Sequence, residues 1–226
     1  MNPLAKIHRD LIQGSEAWFA ARRGRATASR ASDIITAAKG DYSKSARKYA
    51  LELIAELMAP NEPPPFAGSF ATDRGSEYEP QAIAAFSAMT GLRTEKIGFI
   101  EILTPGCPIG QVGLSPDALI TDATGHDYCA GLEAKCPLRT KHVQNAADVA
   151  AGNLPEDYKQ QLHWSLALTG LPEWHFFSWH PEMAPAHLIV RPDAFTDRVV
   201  ECLANFVREY AELREFLIPK LQITTP

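Results

Sequence analysis

The chain has 226 residues, of which 46% are hydrophobic, so it is long enough to bury a full core, and we predict a single domain over 1–226. The net charge of −5 and the pI near 5.8 exclude a protein that coats nucleic acid through bulk positive charge. The four cysteines form no C-x-x-C pair, which argues against a zinc site or an iron–sulfur cluster. Without a secretory segment or an apolar run of membrane-spanning length, the sequence predicts a soluble cytoplasmic protein with reduced thiols.

Two short helices are predicted near the N-terminus, one over 15–22 with Ser15 as its N-cap and one from Thr27 to about Lys39. The intervening segment 22–29 carries three arginines, a glycine and two hydroxyl side chains. Guanidinium groups and the free N–H groups of a helix N-terminus together favour an anion. The alternative interpretation is an ordinary capped helix with solvated arginines.

Apolar residues recur at helical spacing from Ala50 to Met58, which predicts a helix of the core. The proline-rich segment 60–68 that follows is predicted to be a stiff exposed loop. Near it, Phe66 and Phe70 are predicted to pack inward, with stacking on a nucleic-acid base as the alternative.

The next predicted helix opens within 74–80 and carries Glu79 near its start. Ser76 and Glu79 have the S-x-x-E spacing of a capping box. Glu79 is therefore either a capping residue or a third acidic ligand for a metal site, and the spacing leaves both interpretations open.

A β-hairpin is predicted after an alternating strand over 96–103. One strand ends at Leu119-Ile120 and the next covers 129–135, with a turn-rich segment between them. Alternation places Glu133 and Lys135 on one face of the second strand. Asp117 lies just before the first strand, where it can meet Glu133 across the pair.

Two carboxylates that approach each other repel unless a cation lies between them, and their oxygen atoms suit Mg²⁺ or Mn²⁺. A lysine close to such a site can polarise a water or stabilise an anion that forms beside the metal. The residues therefore fit metal-dependent phosphodiester hydrolysis, and the spacing Pro116-Asp117 to Glu133-Ala134-Lys135 resembles the PD-(D/E)xK nuclease signature. The competing interpretation is a hairpin with a cross-strand salt bridge.

Beyond Pro137, a basic cluster of Arg139, Lys141 and His142 is either a solvated loop or a contact to the DNA backbone. A helix from Glu156, two strands and a long amphipathic helix complete the chain. This order of helices and strands predicts an α/β fold.

Several separated segments match one family in its order. They are Trp18-x-x-x-Arg22-x-Gly24-x-x-Thr27-Ala28-Ser29, Gly75-x-x-Tyr78-Glu79, Ser115-Pro116-Asp117, Leu132-Glu133-x-Lys135-Cys136-Pro137 and Tyr158-x-x-Gln161. On these segments the chain resembles the lambda-exonuclease type of phage and prophage recombination nuclease, within the PD-(D/E)xK superfamily. The resemblance implies a restriction-endonuclease-like core with a central mixed sheet flanked by helices.

The resemblance also implies the roles of single residues. Asp117, Glu133 and the main-chain carbonyl of Ala134 would bind Mg²⁺, with Mn²⁺ as the alternative and two ions as the expected number. Glu79 would complete the second metal or outer-shell position, Lys135 would orient and activate the attacking water, and Gln161 would support the site. The DNA and its 5′-phosphate would be bound by Arg22, Thr27, Ser29 and Arg139. The family often has a second glutamine where this chain has His163, so the role of His163 is left open.

The activity that the resemblance implies is 5′-to-3′ digestion of one strand of linear duplex DNA to mononucleotides, leaving a 3′ overhang. The implied partners are a 5′-phosphorylated DNA end, two further copies of the chain in a homotrimeric ring, and a single-strand-annealing recombination protein in a phage-infected or lysogenic bacterium. Two alternatives stay open, a restriction-like DNA endonuclease and a DNA-end-binding protein without catalysis.

Overall fold

The computed structural model describes residues 1–62, 70–103 and 111–222, and of residues 70–76 it describes the backbone alone. The helices in these ranges are α1 (Glu16–Arg22), α2 (Ala46–Met58), α3 (Phe70–Thr90), α4 (Arg139–Ala150), α5 (Glu156–Thr169) and α6 (Ala194–Leu221). The strands are β1 (Ala5–His8), β2 (Ala26–Thr27), β3 (Thr94–Glu95), β4 (Phe99–Ile102), β5 (Val112–Leu114), β6 (Ala118–Thr121), β7 (Tyr128–Lys135), β8 (Trp174–His180) and β9 (Met183–Val190).

The larger of two sheets has the strand order β3-β6-β7-β8-β9. β6 and β7 form the predicted antiparallel hairpin, with Ala118 opposite Leu132. β8 then lies parallel to β7, after the chain has crossed over through α4 and α5, whereas β9 returns antiparallel. The predicted central mixed sheet is therefore confirmed.

Helices cover both faces of this sheet. On one face, α3 packs Ala82 and Phe86 into a buried cluster with Leu132 of β7 and Phe177 of β8. On the other face lies the larger core, in which the ring of Tyr158 from α5 is 5.0 Å from that of Phe176. Side chains alternate along a strand, so the residues of β7 divide between α3 and α5. The α/β fold class predicted from the sequence is confirmed.

The smaller sheet has the order β1-β4-β5-β2. Its strand β2 ends at Thr27, within the segment 22–29 that was predicted to bind an anion. β1 was not predicted, and it pairs antiparallel with β4. The indole Nε1 of Trp164 on α5 donates to the carbonyl of Gly113 on β5 at 3.2 Å. This bond connects the helix layer of the larger sheet to the smaller sheet.

The predicted helix from Thr27 to about Lys39 is wrong in length and type. A 3₁₀ helix covers Ala28–Asp33, and Arg30 within it leaves the helical backbone region. The guanidinium of Arg30 donates to Asp33 and to Glu52 of α2, which ties this turn to its neighbours. The chain then folds back in an antiparallel bridge between Ile35 and Tyr42, so the helix cannot continue.

The basic cluster after Pro137 is the first turn of a helix that the sequence analysis missed, and it is not a loop. His142 is buried there, with its ring nitrogens 3.0 Å from Ser178 Oγ and 3.0 Å from the carbonyl oxygen of Ala184. These contacts anchor α4 to β8 and β9. The helix escaped detection because few of its residues are apolar, so it has no clear hydrophobic stripe.

Two further predictions concern residues that the structure does not describe. Phe66 and most of the proline-rich segment lie outside the described ranges, as does the side chain of Phe70. Within the described part of the chain, none of the helices is both long enough and apolar enough to cross a membrane.

Candidate active site

The ends of β6 and β7 bring two carboxylates together. Because Ala118 lies opposite Leu132 in an antiparallel pair, Asp117 and Glu133 come at opposite positions on the two strands, just beyond the paired segment. Asp117 Oδ2 accepts a hydrogen bond from the backbone N–H of Ala134 at 2.6 Å. The hairpin thus holds Asp117 against the strand that carries Glu133, as the sequence analysis expected.

Glu133 is 3% exposed and points to the face covered by α5. Its Oε1 atom lies 2.5 Å from Nζ of Lys135 and accepts a 2.6 Å hydrogen bond from Nε2 of Gln161 on α5. The ammonium of Lys135 also lies 5.6 Å from the ring centroid of Tyr158. The predicted residues Glu133, Lys135 and Gln161 are therefore direct neighbours.

Burial and neighbouring charges shift the pKa values of Asp117 and Lys135. Burial and the nearby charge of Glu133 raise the pKa of Asp117 well above its usual range. Burial alone would lower the pKa of Lys135, but the carboxylates of Glu133 and Asp117 outweigh it and raise that pKa. Lys135 is therefore a cation at neutral pH. A positive charge placed beside Asp117 would favour its ionised form.

Glu79 lies inside α3, nine residues after the helix begins, so it is not a capping residue. Its Oε1 atom is 2.7 Å from Nζ of Lys96, which lies between β3 and β4. The negative charge of Glu79 also contributes to the raised pKa of Asp117, which shows that the two carboxylates interact. The sequence spacing left the position of Glu79 open, and the fold brings it to the site.

The oxygen atoms at this place fit a hard divalent cation better than a transition metal that prefers nitrogen or sulfur. Burial first and the charge of Glu133 second raise the Asp117 pKa, and a cation beside Asp117 would favour its ionised form against both effects. Even so, among the described residues no three His, Cys, Asp or Glu side chains converge as a ready-made metal site. Each carboxylate has a partner from the chain instead: the N–H of Ala134 for Asp117, the ammonium of Lys135 for Glu133 and that of Lys96 for Glu79.

A second site is built around Arg22 in the last turn of α1. Its Nη1 atom donates to Ser115 Oγ at 3.0 Å, and Nη2 donates to Thr27 Oγ1 at 3.1 Å and to Ser29 Oγ at 3.4 Å. The guanidinium carbon lies 4.2 Å from the ring centroid of Trp18. Among the described residues, no carboxylate lies within 4 Å of this guanidinium. Burial lowers its pKa to about 10, so Arg22 is still charged at neutral pH.

This guanidinium lines a cavity of about 520 Å³, and we call this cavity the Arg22 pocket. Three aromatic rings, four arginines and two glutamates contribute to its lining, which consists of Trp18, Phe19, Arg22, Arg23, Arg25, Thr27, Ser29, Arg30, Tyr49, Leu53, Glu56, Ala59 and Glu62. A cationic, hydroxyl-rich pocket of this kind is suited to a phosphate group. The segment 22–29, predicted to bind an anion, thus lines a preformed cavity, and its binding of an anion stays a prediction.

Ser115 joins the two sites and was given no role from the sequence. Besides the bond from Arg22, its Oγ accepts a 2.9 Å hydrogen bond from Trp18 Nε1. Gln13 Nε2 donates to the carbonyl of Pro116 at 2.9 Å and so holds the next residue. Because Ser115 and Pro116 directly precede Asp117, the pocket and the carboxylate site share one short segment. Its place in the motif Ser115-Pro116-Asp117 was the available signal.

Two other predicted residues lie apart from these contacts. Arg139 is exposed at the first position of α4 and makes no described contact with the carboxylates. The ring of His163 faces α6, with Nδ1 2.8 Å from Thr196 Oγ1. His163 therefore contacts the start of α6, while Gln161 contacts Glu133.

Known proteins support the assignment of the fold. The profile of the YqaJ-like viral recombinase domain matches residues 17–172. An alkaline exonuclease from Laribacter hongkongensis is similar at 27% identity and a TM-score of 0.72, over 91% of this chain and 97% of that one. Its complex with dAMP gives a TM-score of 0.73 at the same identity and coverage.

A phage-related exonuclease from Haemophilus somnus 129PT shares the fold at 15% identity and a TM-score of 0.59, over 88% of this chain and 96% of that one. No match was found among the curated proteins. The first two likenesses and the domain profile confirm the nuclease family that the sequence motifs indicated.

Proposed function

Since the chain belongs to the family of YqaJ-like viral recombinase domains, we propose that it is a Mg²⁺-dependent exonuclease acting on linear duplex DNA. It would degrade one strand from 5′ to 3′ into mononucleotides and leave a 3′ overhang for single-strand-annealing recombination. The observation that carries this proposal is the Asp117, Glu133 and Lys135 constellation, joined through Ser115 to the cationic Arg22 pocket.

Asp117, Glu133 and the main-chain carbonyl of Ala134 would hold Mg²⁺, with Mn²⁺ as the alternative and Glu79 at a second ion. A bound divalent metal lowers the pKa of a water and offsets phosphate charge. Lys135, which is protonated, would orient the attacking water by donating to it and would stabilise charge on the phosphoryl oxygens. Gln161 would keep Glu133 in position through its 2.6 Å hydrogen bond.

The Arg22 pocket would bind the phosphate at the 5′ end, with the hydroxyl groups of Thr27, Ser29 and Ser115 around the guanidinium. A phosphate monoester has three strong acceptor oxygens, which match these donors. Because Ser115 lies two residues before Asp117, the pocket would fix the distance between the bound end and the cleaved bond. Removal of one nucleotide at a time follows from such a fixed spacing.

Further partners belong to the same proposal. Three copies of the chain would form a ring around the duplex, and the exposed Arg139 would contact its backbone. The single-strand-annealing protein, the single domain and the cytoplasmic location stay predictions. A restriction-like endonuclease and a non-catalytic end-binding protein are the alternatives that the experiment separates.

The test is digestion of linear duplex DNA that carries a 5′-phosphate at one end only, with Mg²⁺ or with a chelator. We expect loss of the strand that begins at the phosphorylated end and a fall of at least about 100-fold for Lys135→Ala, because electrostatic stabilisation is lost. Lys48→Ala removes an exposed lysine of α2 and should match the wild type.

Each alternative predicts a different result. Cutting of covalently closed circular DNA would identify an endonuclease. Binding of DNA ends without any Mg²⁺-dependent cutting would leave an end-binding protein, and Asp117, Glu133 and Lys135 would then have a structural role.

A further inference from the structure

Each carboxylate of the candidate site is compensated by the chain itself. Asp117 accepts the N–H of Ala134, and Glu133 contacts Lys135. Glu79 contacts Lys96 at 2.7 Å, and this lysine belongs to none of the motifs that indicated the family. Two ammonium groups thus lie on the carboxylates that would face metal ions.

The two lysines differ in how firmly they are held. The side chain of Lys135 is 28% exposed and lies against the ring of Tyr158, whereas that of Lys96 is 56% exposed. Glu79, by contrast, is 18% exposed, so the carboxylate is fixed by the fold and the lysine approaches it from solvent. An ion pair with one exposed, long side chain contributes little to stability and separates easily.

We propose that Lys96 is a displaceable counter-ion of Glu79, which it neutralises in the metal-free protein and leaves when a divalent cation binds beside Glu79. The inference rests on the proposed metal-dependent function. A divalent ion and an ammonium compete for the same carboxylate oxygen, and the ion carries twice the charge. Lys96 is therefore a positioning residue that sets the affinity for the ion at Glu79.

A counter-ion at Glu79 is useful because the carboxylates of the site repel one another when no metal ion is bound. The charges of Glu133 and Glu79 both act on Asp117, and an uncompensated Glu79 would add to the repulsion on Asp117. Lys96 removes that cost while the metal is absent. Because its stem extends from a segment between two strands, the ammonium can turn into solvent without any change of the backbone.

The proposal is tested by calorimetric titration of Mn²⁺ into the wild type and Lys96→Met, without DNA. We expect Lys96→Met to bind one ion about two- to fivefold more tightly, the range that an exposed ion pair contributes. Lys48→Met makes the same change in net charge at a distant ion pair with Glu52, and should leave the titration unchanged.

Combination with Glu79→Gln makes the test specific. Lys96→Met should have no effect on Mn²⁺ affinity when Glu79 is already replaced, because the two residues act as a pair. Equal affinity in the wild type and Lys96→Met, or weaker binding in Lys96→Met, would overturn the proposal and leave the metal-dependent function intact. A wild type that binds no Mn²⁺ at all would overturn both.

Discussion

Arg22 is half-buried among hydroxyl groups and the indole of Trp18, and no carboxylate of the described residues lies within 4 Å of its guanidinium. Removing a guanidinium from water is costly, and the lowered pKa of about 10 expresses that cost, which the charge of Glu56 offsets only in part. A residue kept in this state is better explained by an incoming anion than by stability. At the scale of single residues, this is the clearest sign of a binding role.

Replacement of Arg22 by Met should abolish the preference for a 5′-phosphate over a 5′-hydroxyl end. Loss of a charge-assisted hydrogen bond corresponds to about 1.5–3 kcal/mol, or roughly 10- to 100-fold in the ratio of initial rates on the two substrates. Arg23→Met is the matched control, because Arg23 lines the same cavity without these hydroxyl contacts. The role of Arg22 would be refuted if Arg22→Met kept the wild-type ratio of initial rates, as Arg23→Met is expected to do.

The turn that follows α1 decides where Arg22 points. Gly24 has a φ of +65°, and a Cβ at this position would lie 2.5 Å from Cδ2 of Leu57 on α2. Its N–H donates to Glu56 and its carbonyl accepts from the hydroxyl of Tyr210 on α6. One glycine therefore joins three helices at the edge of the Arg22 pocket.

Gly24→Ala should lower the free energy of unfolding by about 1–3 kcal/mol more than Gly14→Ala does, because only the first adds overpacking to backbone strain. Gly14 also has a positive φ, +85°, but nothing lies within 4 Å of its Cβ position. Denaturant unfolding of both variants measures the difference. Equal losses for the two would mean that the contact with Leu57 is unimportant, and Leu57→Ala in the Gly24→Ala background should recover part of the loss.

At the scale of the whole molecule, the acidic chain places four of its 22 Lys and Arg residues around one cavity. The net charge is −5, yet Arg22, Arg23, Arg25 and Arg30 line a single cavity. In the proposed nuclease, this distribution would draw DNA towards the cavity. In the proposed ring, only the lining would meet the duplex.

If the proposed ring forms, light scattering should give a mass three times the chain mass of 24.8 kDa at micromolar concentration. The mass of the protein peak should not change when covalently closed circular DNA is added, because a closed protein ring cannot thread onto DNA that has no free end. A mass of one chain at all concentrations would rule out the trimer and would leave the single-chain site as the unit of activity.

The sequence by itself was sufficient for the local features. Period-two alternation on β7 and the turn before it placed Glu133, Lys135 and Asp117 correctly, and Ser15 marked the start of α1, accepting the N–H of Trp18 at 3.2 Å. These features depend on backbone geometry and on neighbours a few residues apart, and both are visible in the order of amino acids.

Only the tertiary structure decided the contacts between distant segments. Three contacts join elements that are distant in sequence: Lys96 with Glu79, Ser115 with Arg22, and His163 with Thr196. The 3₁₀ helix after Thr27 and the polar helix α4 also depend on partners from other elements, namely Glu52 and Ser178. Long-range packing overrides local preference at such places, and it is packing that turns a set of motif residues into a site.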